Sequence, residues 1–459
     1  MPVNSFEDYS MSWRPKIDSS ELPLYSAIAQ TLERDIEHGT LKPNDKLPPQ
    51  RELADFLDVN LSTITRAFKL CEAKGLIKGS VGKGTFISSD VKANKPMLSE
   101  YRKSGIINLG PSHPLYNENK YITKLLRKMT SKINIENLLQ YHDLTGTQSQ
   151  KENAREWLEQ QGITTSTDNI LIASGLQNSL AIILSSCFNY GDKILTNSVV
   201  YPGLKNIAAM LGIRLIPIPY KNRQLDINYL IQVCKHEKIK GIYLMPDHQN
   251  PTALTMSEQE RLEVSDVIQR FSLLAIEDGT YTFLSSNQHK PLYHYVPDQV
   301  IHICTLSNSL SAGLRISFMV APLNYREKLL SGIRNINVMS SPLDSELVSQ
   351  LIQTRLANKI IKEKIQEIEE RNTVTEEVLG DFELLGTHRS QFRWLVLPDE
   401  EKSHALEAEL SQKGVDVFCS DRFLVGNAKN EQALRLAICS PQSLEELREG
   451  LTIIKKEIQ

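Results

Sequence analysis

The chain predicts three parts: a three-helix module with a β-hairpin, a large α/β domain on a mostly parallel sheet, and a C-terminal α+β subdomain. Three observations carry this reading. A length of 459 residues exceeds what one simple core holds, at about 100–200 residues per domain. Before residue 88, apolar residues recur at helical spacing and then give way to a glycine-rich hairpin pattern. From residue 170 to residue 320, short apolar runs alternate with helical stripes, as in a sheet covered on both faces.

Composition narrows the class. Apolar residues make up 41% and charged residues 23%, which excludes collagen-like, mucin-like and wholly disordered chains. The net charge of −3 supplies no overall basic field, so any nucleic-acid-binding patch must be local. Cysteines stand far apart, at 71, 187, 234, 304, 419 and 439, with no C-x-x-C. That spacing fits reduced core thiols and a cytoplasmic location better than a disulfide framework. Residues 1–13 lack a basic stretch followed by an apolar run, so no secretion signal is expected. The most apolar stretch, Asn169 to Phe188, is broken by Ser174, Gly175, Gln177 and Asn178. It reads as a strand plus a buried helix, not a membrane span.

The front module, residues 1–88, begins with an apolar stripe at Leu24, Ile28, Leu32 and Ile36. His38-Gly39 ends that helix, and Pro43-Asn44-Asp45 makes a turn. A second helix opens at Pro48-Pro49 with Leu53, Phe56 and Leu57 inward, and Asp58-Val59-Asn60 turns the chain. The third helix buries Ile64, Ala67, Phe68 and Cys71, while Ser62, Thr65, Arg66 and Lys69 share its polar face; Gly75 suits its C-terminal cap. Leu76 to Ile87 reads as a hairpin with a Gly-rich tip. Helix, helix, tight turn, helix and hairpin together form a winged helix-turn-helix pattern. From Ser62 to Ser88 there are five Lys or Arg against one Glu, a local basic surface. Such a surface can reach phosphates and base edges.

The strings Leu22 to Tyr25, Gly39 to Ala54, Ser62 to Phe68, Gly75 to Ile77 and Gly82 to Phe86 closely resemble the GntR family of bacterial regulators. The resemblance implies double-stranded operator DNA as a partner. Arg51 matches a second-helix arginine that touches DNA, Thr63 and Arg66 lie on the recognition helix, and Lys83, Gly84 and Thr85 form the wing tip. Leu61 stands where many members carry an arginine, so that position offers no charged contact here.

Residues 89–105 are polar and without period, and carry Lys92, Lys95, Arg102 and Lys103; they read as a linker. Beyond it, in 106–324, candidate strands are Ile170–Ala173, Lys193–Thr196, Arg214–Pro217, Gly241–Met245, Leu273–Glu277, Ile301–Cys304 and Ile316–Val320. Ligands of such sheets sit at the carboxyl ends of strands, so the residues just past each strand are the candidates. Ser174-Gly175 opens a helix whose free N–H groups can hold a phosphate. Asn250-Pro251 comes after the fourth strand, Asp278 after the fifth, and Ser307 to Arg315 after the sixth.

In order and spacing these segments resemble the fold-type I, aspartate-aminotransferase-like enzymes that use pyridoxal phosphate (PLP), from about Ile106 to the C-terminus. The resemblance implies that Ser174, Gly175 and Gln177 hold the PLP phosphate, with Ser307 and Arg315 completing that site. Tyr201 would stack on the ring, Asn250 and Tyr281 would reach its hydroxyl, and Asp278 would pair with its nitrogen. Arg435 would clamp a substrate carboxylate bidentately. A GntR-type module ahead of such a domain is the layout of MocR-like regulators.

One element of the pattern is missing. The family's Schiff-base lysine comes directly after the serine that matches Ser307; here that residue is Asn308, whose amide is not a nucleophilic amine. No lysine occurs between Lys290 and Lys328. Ser311-Ala312 replaces the usual Ala-Pro, and Ala253 replaces a glycine after Asn-Pro-Thr. No catalytic residue is therefore assigned. H-E-x-x-H, G-x-S-x-G and Walker-type motifs are absent, and His302 and Cys304 lack further metal ligands, so no metal is expected. In the C-terminal part, 325–459, the charged run Ile360 to Glu370 reads as a solvated helix face. Phe392–Leu397 and Val415–Phe418 read as strands of the α+β subdomain.

The expectation is a cytoplasmic, DNA-binding transcriptional regulator, not an enzyme, whose aminotransferase-like domain dimerises and senses a small anionic effector. No covalent cofactor is expected; PLP, its amine form PMP, or a PLP–amino acid adduct would bind noncovalently. Two other classes stay open: a PLP-dependent aminotransferase with a DNA-binding arm, and a ligand-blind dimerisation scaffold.

Overall fold

The computed structural model describes residues 11–17, 23–37, 40–41, 45–73, 76–80, 84–88, 105–131, 134–285, 289–398, 403–426, 428 and 431–459. The chain divides into two units, Met1–Pro96 and Met97–Gln459.

In the first unit, α1 (Leu24–Glu37), α2 (Gln50–Phe56) and α3 (Leu61–Ala73) precede a hairpin of β1 (Ile77–Ser80) and β2 (Gly84–Ile87). The expected stripe of α1 is buried at Ile28, Leu32 and Ile36, whereas Leu24, at the exposed start of the helix, lies outside it. Leu53, Ala54, Ile64, Ala67, Phe68 and Cys71 close the same core. Trp13, ahead of α1, joins that core and donates its indole N–H to Asp35 at 2.9 Å. The expected turn at Pro43-Asn44, the cap at Gly75 and the linker up to residue 104 lie outside the described residues.

The second unit starts with β3 (Ile107–Asn108), then α4 (Asn119–Thr130), α5 (Ile135–Leu138) and α6 (Gln148–Glu159). Next come β4 (Ile170–Ala173), α7 (Leu176–Cys187), β5 (Lys193–Asn197), α8 (Pro202–Met210) and β6 (Arg214–Ile218). A small hairpin of β7 (Tyr220–Lys221) and β8 (Gln224–Leu225) leads to α9 (Ile227–His236) and β9 (Ile239–Leu244). After these stand α10 (Glu258–Arg270), β10 (Leu274–Asp278), α11 (Leu292–Tyr295), β11 (Val300–Thr305) and β12 (Ser317–Val320). All seven expected strands form one sheet, in the order β4-β12-β11-β10-β9-β5-β6. Only β12 runs antiparallel to its neighbours; the other adjacent pairs are parallel. The strands are mostly apolar in their middles because helices cover both faces, with Leu180, Ile183 and Leu184 of α7 on one side and Val264, Val267 and Ile268 of α10 on the other.

The remainder is helix-rich: α12 (Leu323–Ile336), α13 (Pro342–Gln353) and α14 (Leu356–Leu379). β13 (Leu384–Leu385), β14 (Arg393–Val396), α15 (Ser403–Gln412), β15 (Val415–Asp416), β16 (Phe418–Cys419), β17 (Ala433–Leu436) and α16 (Leu444–Ile458) complete the chain. A four-stranded sheet runs β13-β14-β17-β16. Two expectations change. Val415–Phe418 is not one strand: Val415–Asp416 pairs in parallel with Ile107–Asn108, and Phe418–Cys419 pairs with β17. The run Ile360 to Glu370 is not simply a solvated face, because Ile360, Lys364 and Ile368 are fully buried on α14. The four-residue spacing of these three sets them on one inward stripe that the flanking charges obscure. Among the described residues no helix is long and apolar enough to cross a membrane.

Candidate functional site

In the first unit, packing of Ile64, Ala67, Phe68 and Cys71 against α1 and α2 turns the opposite face of α3 outward. Ser62, Arg66 and Lys69 are exposed there, and Thr63 and Thr65 are half-buried. Arg51 is exposed on α2. The Arg66 guanidinium lies 5.7 Å from the Tyr25 ring centroid, which steadies a long side chain on the outer surface. Thr65 donates its hydroxyl proton to Gln50 at 2.9 Å. Gly84 opens β2 at φ 110°, with Thr85 next to it. Lys83 lies outside the described residues. Lys46, given no role from sequence, bridges to Phe86 and runs beside Gly84, where a Cβ would come 3.0 Å from its Cε. The wing thus carries a cation from the segment before α2, and a single residue pair between distant segments leaves no periodic signal.

In the second unit, the segments singled out in sequence lie just past the carboxyl ends of β4, β5, β9, β10 and β11, as open α/β sheets require. Gly175 caps α7 at φ 86°, with no side chain bonded into the helix start. Free N–H groups and the helix dipole therefore face outward at this turn. A Cβ on Gly175 would stand 2.7 Å from an Arg315 guanidinium nitrogen, so only glycine lets that cation lie across the turn. Arg315, itself at φ 49°, donates to Ser307 Oγ at 3.1 Å. Gly175, Ser307 and Arg315 thus form one cradle of donors suited to a phosphate; Ser174 lines it, but its N–H donates to Asn178 Oδ1 at 2.9 Å and its hydroxyl to Ser340 Oγ at 3.2 Å. Ser174 Oγ also accepts from Asn337 at 3.1 Å. Gln177, expected in the cradle, instead donates to the Tyr201 hydroxyl at 2.7 Å. Burial raises the Tyr201 phenol above its ordinary range.

Asp278 ends β10 and is fully buried. It accepts from Thr280 N at 3.0 Å, from the Thr280 hydroxyl, and from the Tyr243 hydroxyl at 2.6 Å. Burial raises its carboxyl above the usual range, while these donors and nearby His302 act in the opposite direction. Tyr243 was missed in sequence because it sits mid-strand among aliphatic residues; its hydroxyl was the available signal. Tyr281 is buried and meets Phe392 edge-on at 5.2 Å.

Arg435 on β17 is fully buried. It donates to Asn250 Oδ1 at 3.1 Å and to the Gly110 carbonyl, while its Nε has no hydrogen-bond partner among the described residues. Rings of Phe423, Phe418 and Phe392 stand 5.1, 5.3 and 5.8 Å from the guanidinium. Burial draws its pKa down to about 10. An aromatic cage and two amide-type acceptors therefore hold a buried cation, on which the Asp416 carboxylate also acts electrostatically.

Asn308 is half-buried between Ser307 and Ser309. An amine reaches it from far along the chain: Lys364 Nζ donates to the Asn308 carbonyl at 3.3 Å and to the Leu115 carbonyl at 2.9 Å. Ala253, where a glycine is usual, is held at φ 57° with its Cβ against Gly386, so the turn shape persists at some strain. The Asn250–Pro251 peptide is cis. Burial raises the Cys304 and Cys439 thiols to about 12, as befits core residues.

The pattern of known families agrees with both units. Residues 104–451 match the model of aminotransferase class I and II, and residues 24–87 match that of bacterial regulatory proteins of the gntR family. A Bacillus subtilis (strain 168) protein named as an uncharacterized HTH-type transcriptional regulator, YdeF, is 39% identical, over 99% of each chain. The similarly named YjiR of Escherichia coli (strain K12) is 26% identical, over 70% of this chain and 74% of its own. Among solved structures, LysN of Thermus thermophilus, an alpha-aminoadipate aminotransferase complexed with N-(5'-phosphopyridoxyl)-L-leucine, superposes with a TM-score of 0.72. It shares 20% identity, over 81% of this chain and 96% of that one. A kynurenine aminotransferase of Pyrococcus horikoshii superposes at 0.71 with 23% identity, over 80% and 97%.

Proposed function

The chain belongs to the GntR-type, MocR-like HTH transcriptional regulators, with an aminotransferase class I and II domain behind the DNA-binding module, and from that premise we propose an effector-sensing role. In this reading the protein binds operator DNA as a homodimer in the cytoplasm. Its aminotransferase-like domain holds a small anion and does not turn it over.

The observation that carries the reading is Arg435. Arg435 is fully buried, the Asp416 carboxylate acts on it electrostatically, and its Nε has no acceptor among the described residues; a ligand carboxylate would supply that acceptor and further negative charge. The cradle of Gly175, Ser307 and Arg315 suits a phosphate, and Asp278 suits a ring nitrogen. These residues fit the phosphate and ring of PLP or PMP held noncovalently, or of a PLP–amino acid adduct. When bound, PLP would supply an aldehyde and an electron-withdrawing ring. The chain would supply no amine from position 308, and Lys364 is spent on two main-chain carbonyls.

Dimerisation is supported by an exposed apolar patch beside this pocket. Leu139, Tyr141, Ile336 and Val338 are solvent-facing, His142 N bonds to Met339 Sδ at 3.3 Å, and Asn337 reaches Ser174. A second copy covering this patch would bring two DNA-binding heads to two half-sites.

A thermal-shift series with PLP, PMP, amino acids and their mixtures tests the sensing role, because a ligand that binds only the folded state raises its stability. Stabilisation without transamination supports a sensor. No shift from any of them favours a ligand-blind scaffold, and turnover above that of free PLP favours an enzyme with a DNA-binding arm.

A further inference from the structure

The DNA-facing surface of the first unit contains a side-chain pair that constrains what it can read. Thr65 shares its helix face with exposed Ser62, Arg66 and Lys69, and both Thr65 and Gln50 are half-buried. Gln50 is the first residue of α2, next to exposed Arg51. Apolar packing of Leu53 and Ala54 against Ile64 and Ala67 fixes the two helices against each other. Across that contact Thr65 Oγ1 donates to Gln50 Oε1 at 2.9 Å.

A threonine hydroxyl has one proton and two lone pairs. On its own, Thr65 could donate to a base or accept from one. Once its proton is committed to Gln50, only the lone pairs remain for DNA. In the major groove the donors are adenine N6 and cytosine N4, whereas guanine offers only acceptors and thymine an acceptor and a methyl. Gln50 keeps two N–H donors on Nε2, which suit a phosphate oxygen or a base acceptor.

We propose that Gln50 is a specificity-determining residue: by taking the Thr65 proton it makes Thr65 an acceptor, restricted to adenine or cytosine at one position of the operator. This deepens the DNA-binding reading and rests on it.

The test is selection of random double-stranded DNA by the full-length protein, with affinity then measured on the selected site. Four proteins are compared: wild type, Gln50→Leu, Gln50→Glu and Thr65→Val. Wild type should fix adenine or cytosine at one position. Gln50→Leu releases the Thr65 proton, so that position should relax to admit guanine and thymine, with affinity falling roughly five- to tenfold. Gln50→Glu still accepts the proton, so the preference should survive. Its added negative charge should nevertheless weaken binding and lower the salt slope by about 0.9. Thr65→Val keeps the shape and a methyl but loses the acceptor, and should abolish the preference. A preference kept by either Gln50→Leu or Thr65→Val overturns the proposal. So does a shift to thymine that Thr65→Val retains, which would mark a methyl contact. If Gln50→Leu does not fold, Gln50→Ala, which likewise cannot accept the proton, takes its place. A folded wild type that selects no sequence removes the DNA-binding reading, and this inference with it.

Discussion

Lys364 and Asn308 are 56 residues apart in the chain, and the Lys364 ammonium donates to the Asn308 main-chain carbonyl at 3.3 Å. Its second bond, to the Leu115 carbonyl at 2.9 Å, ties the start of the domain to the same point. The pocket that lacks an amine at position 308 thus has one behind its backbone. Two acceptors occupy that amine, and it is fully buried. Lys364 therefore holds the Ser307–Asn308 turn in place and is poorly disposed to attack a ligand.

This arrangement predicts a pH effect on stability. Burial lowers the Lys364 pKa from 10.5 to about 8. Between those values the unfolded chain keeps a proton that the folded protein has lost, so stability rises with pH across the window. The neutral amine still has two N–H groups for its two carbonyls. Chemical denaturation of wild type and Lys364→Met from pH 7.5 to 10.5 isolates the effect. Wild type should gain on the order of 2–3 kcal/mol relative to the variant over that range. A constant difference would contradict the buried-cation assignment.

On DNA, Arg66→Ala, Lys69→Ala and Lys83→Ala should each weaken operator binding. Loss of a phosphate contact should lower the slope of log affinity against log salt by about 0.9. Loss of a base contact should cost about 1–3 kcal/mol and relax one operator position. Affinity titrations at several salt concentrations separate the two. Unchanged affinity and slope in all three would remove this face from the DNA interface.

The absence of a local amine predicts a negative labelling result. Wild type incubated with PLP and then borohydride should carry no pyridoxyl group at position 308 or on Lys364, as read by peptide mass spectrometry. Transamination should not exceed that of free PLP with the same amino acid. A stoichiometric adduct on Lys364 would show that the buried amine reaches the pocket, and would reverse the non-enzymatic reading.

Much of this was legible in sequence, and the features that were not have physical causes. All seven strands of the main sheet announced themselves because strands buried on both faces are continuous apolar runs. The cradle residues Ser174, Gly175, Ser307 and Arg315 were legible because they sit at fixed offsets from those runs. Lys364 was not, since a lysine in a charged stretch of helix looks solvated until Ile360 and Ile368 turn its stripe inward. Tyr243 hid among aliphatic neighbours in mid-strand, and Lys46 and Gln50 act through contacts that join separate segments. The split at Val417 escaped notice because two two-residue strands of different sheets follow each other with one residue between them.

The most direct test measures affinity for the selected operator by fluorescence anisotropy, with and without saturating PLP plus amino acid, for wild type and Arg435→Met. Removing the guanidinium removes a buried cation whose Nε has no acceptor among the described residues and that a ligand carboxylate would engage. The variant should therefore lose sensing and keep its DNA-binding surface. Wild-type affinity should change at least about fivefold on ligand addition, a coupling of ordinary allosteric size, and the Arg435→Met affinity should not move. Sequence-specific binding that ignores ligand in both proteins, with no thermal shift in wild type, would contradict the sensor and leave a scaffold.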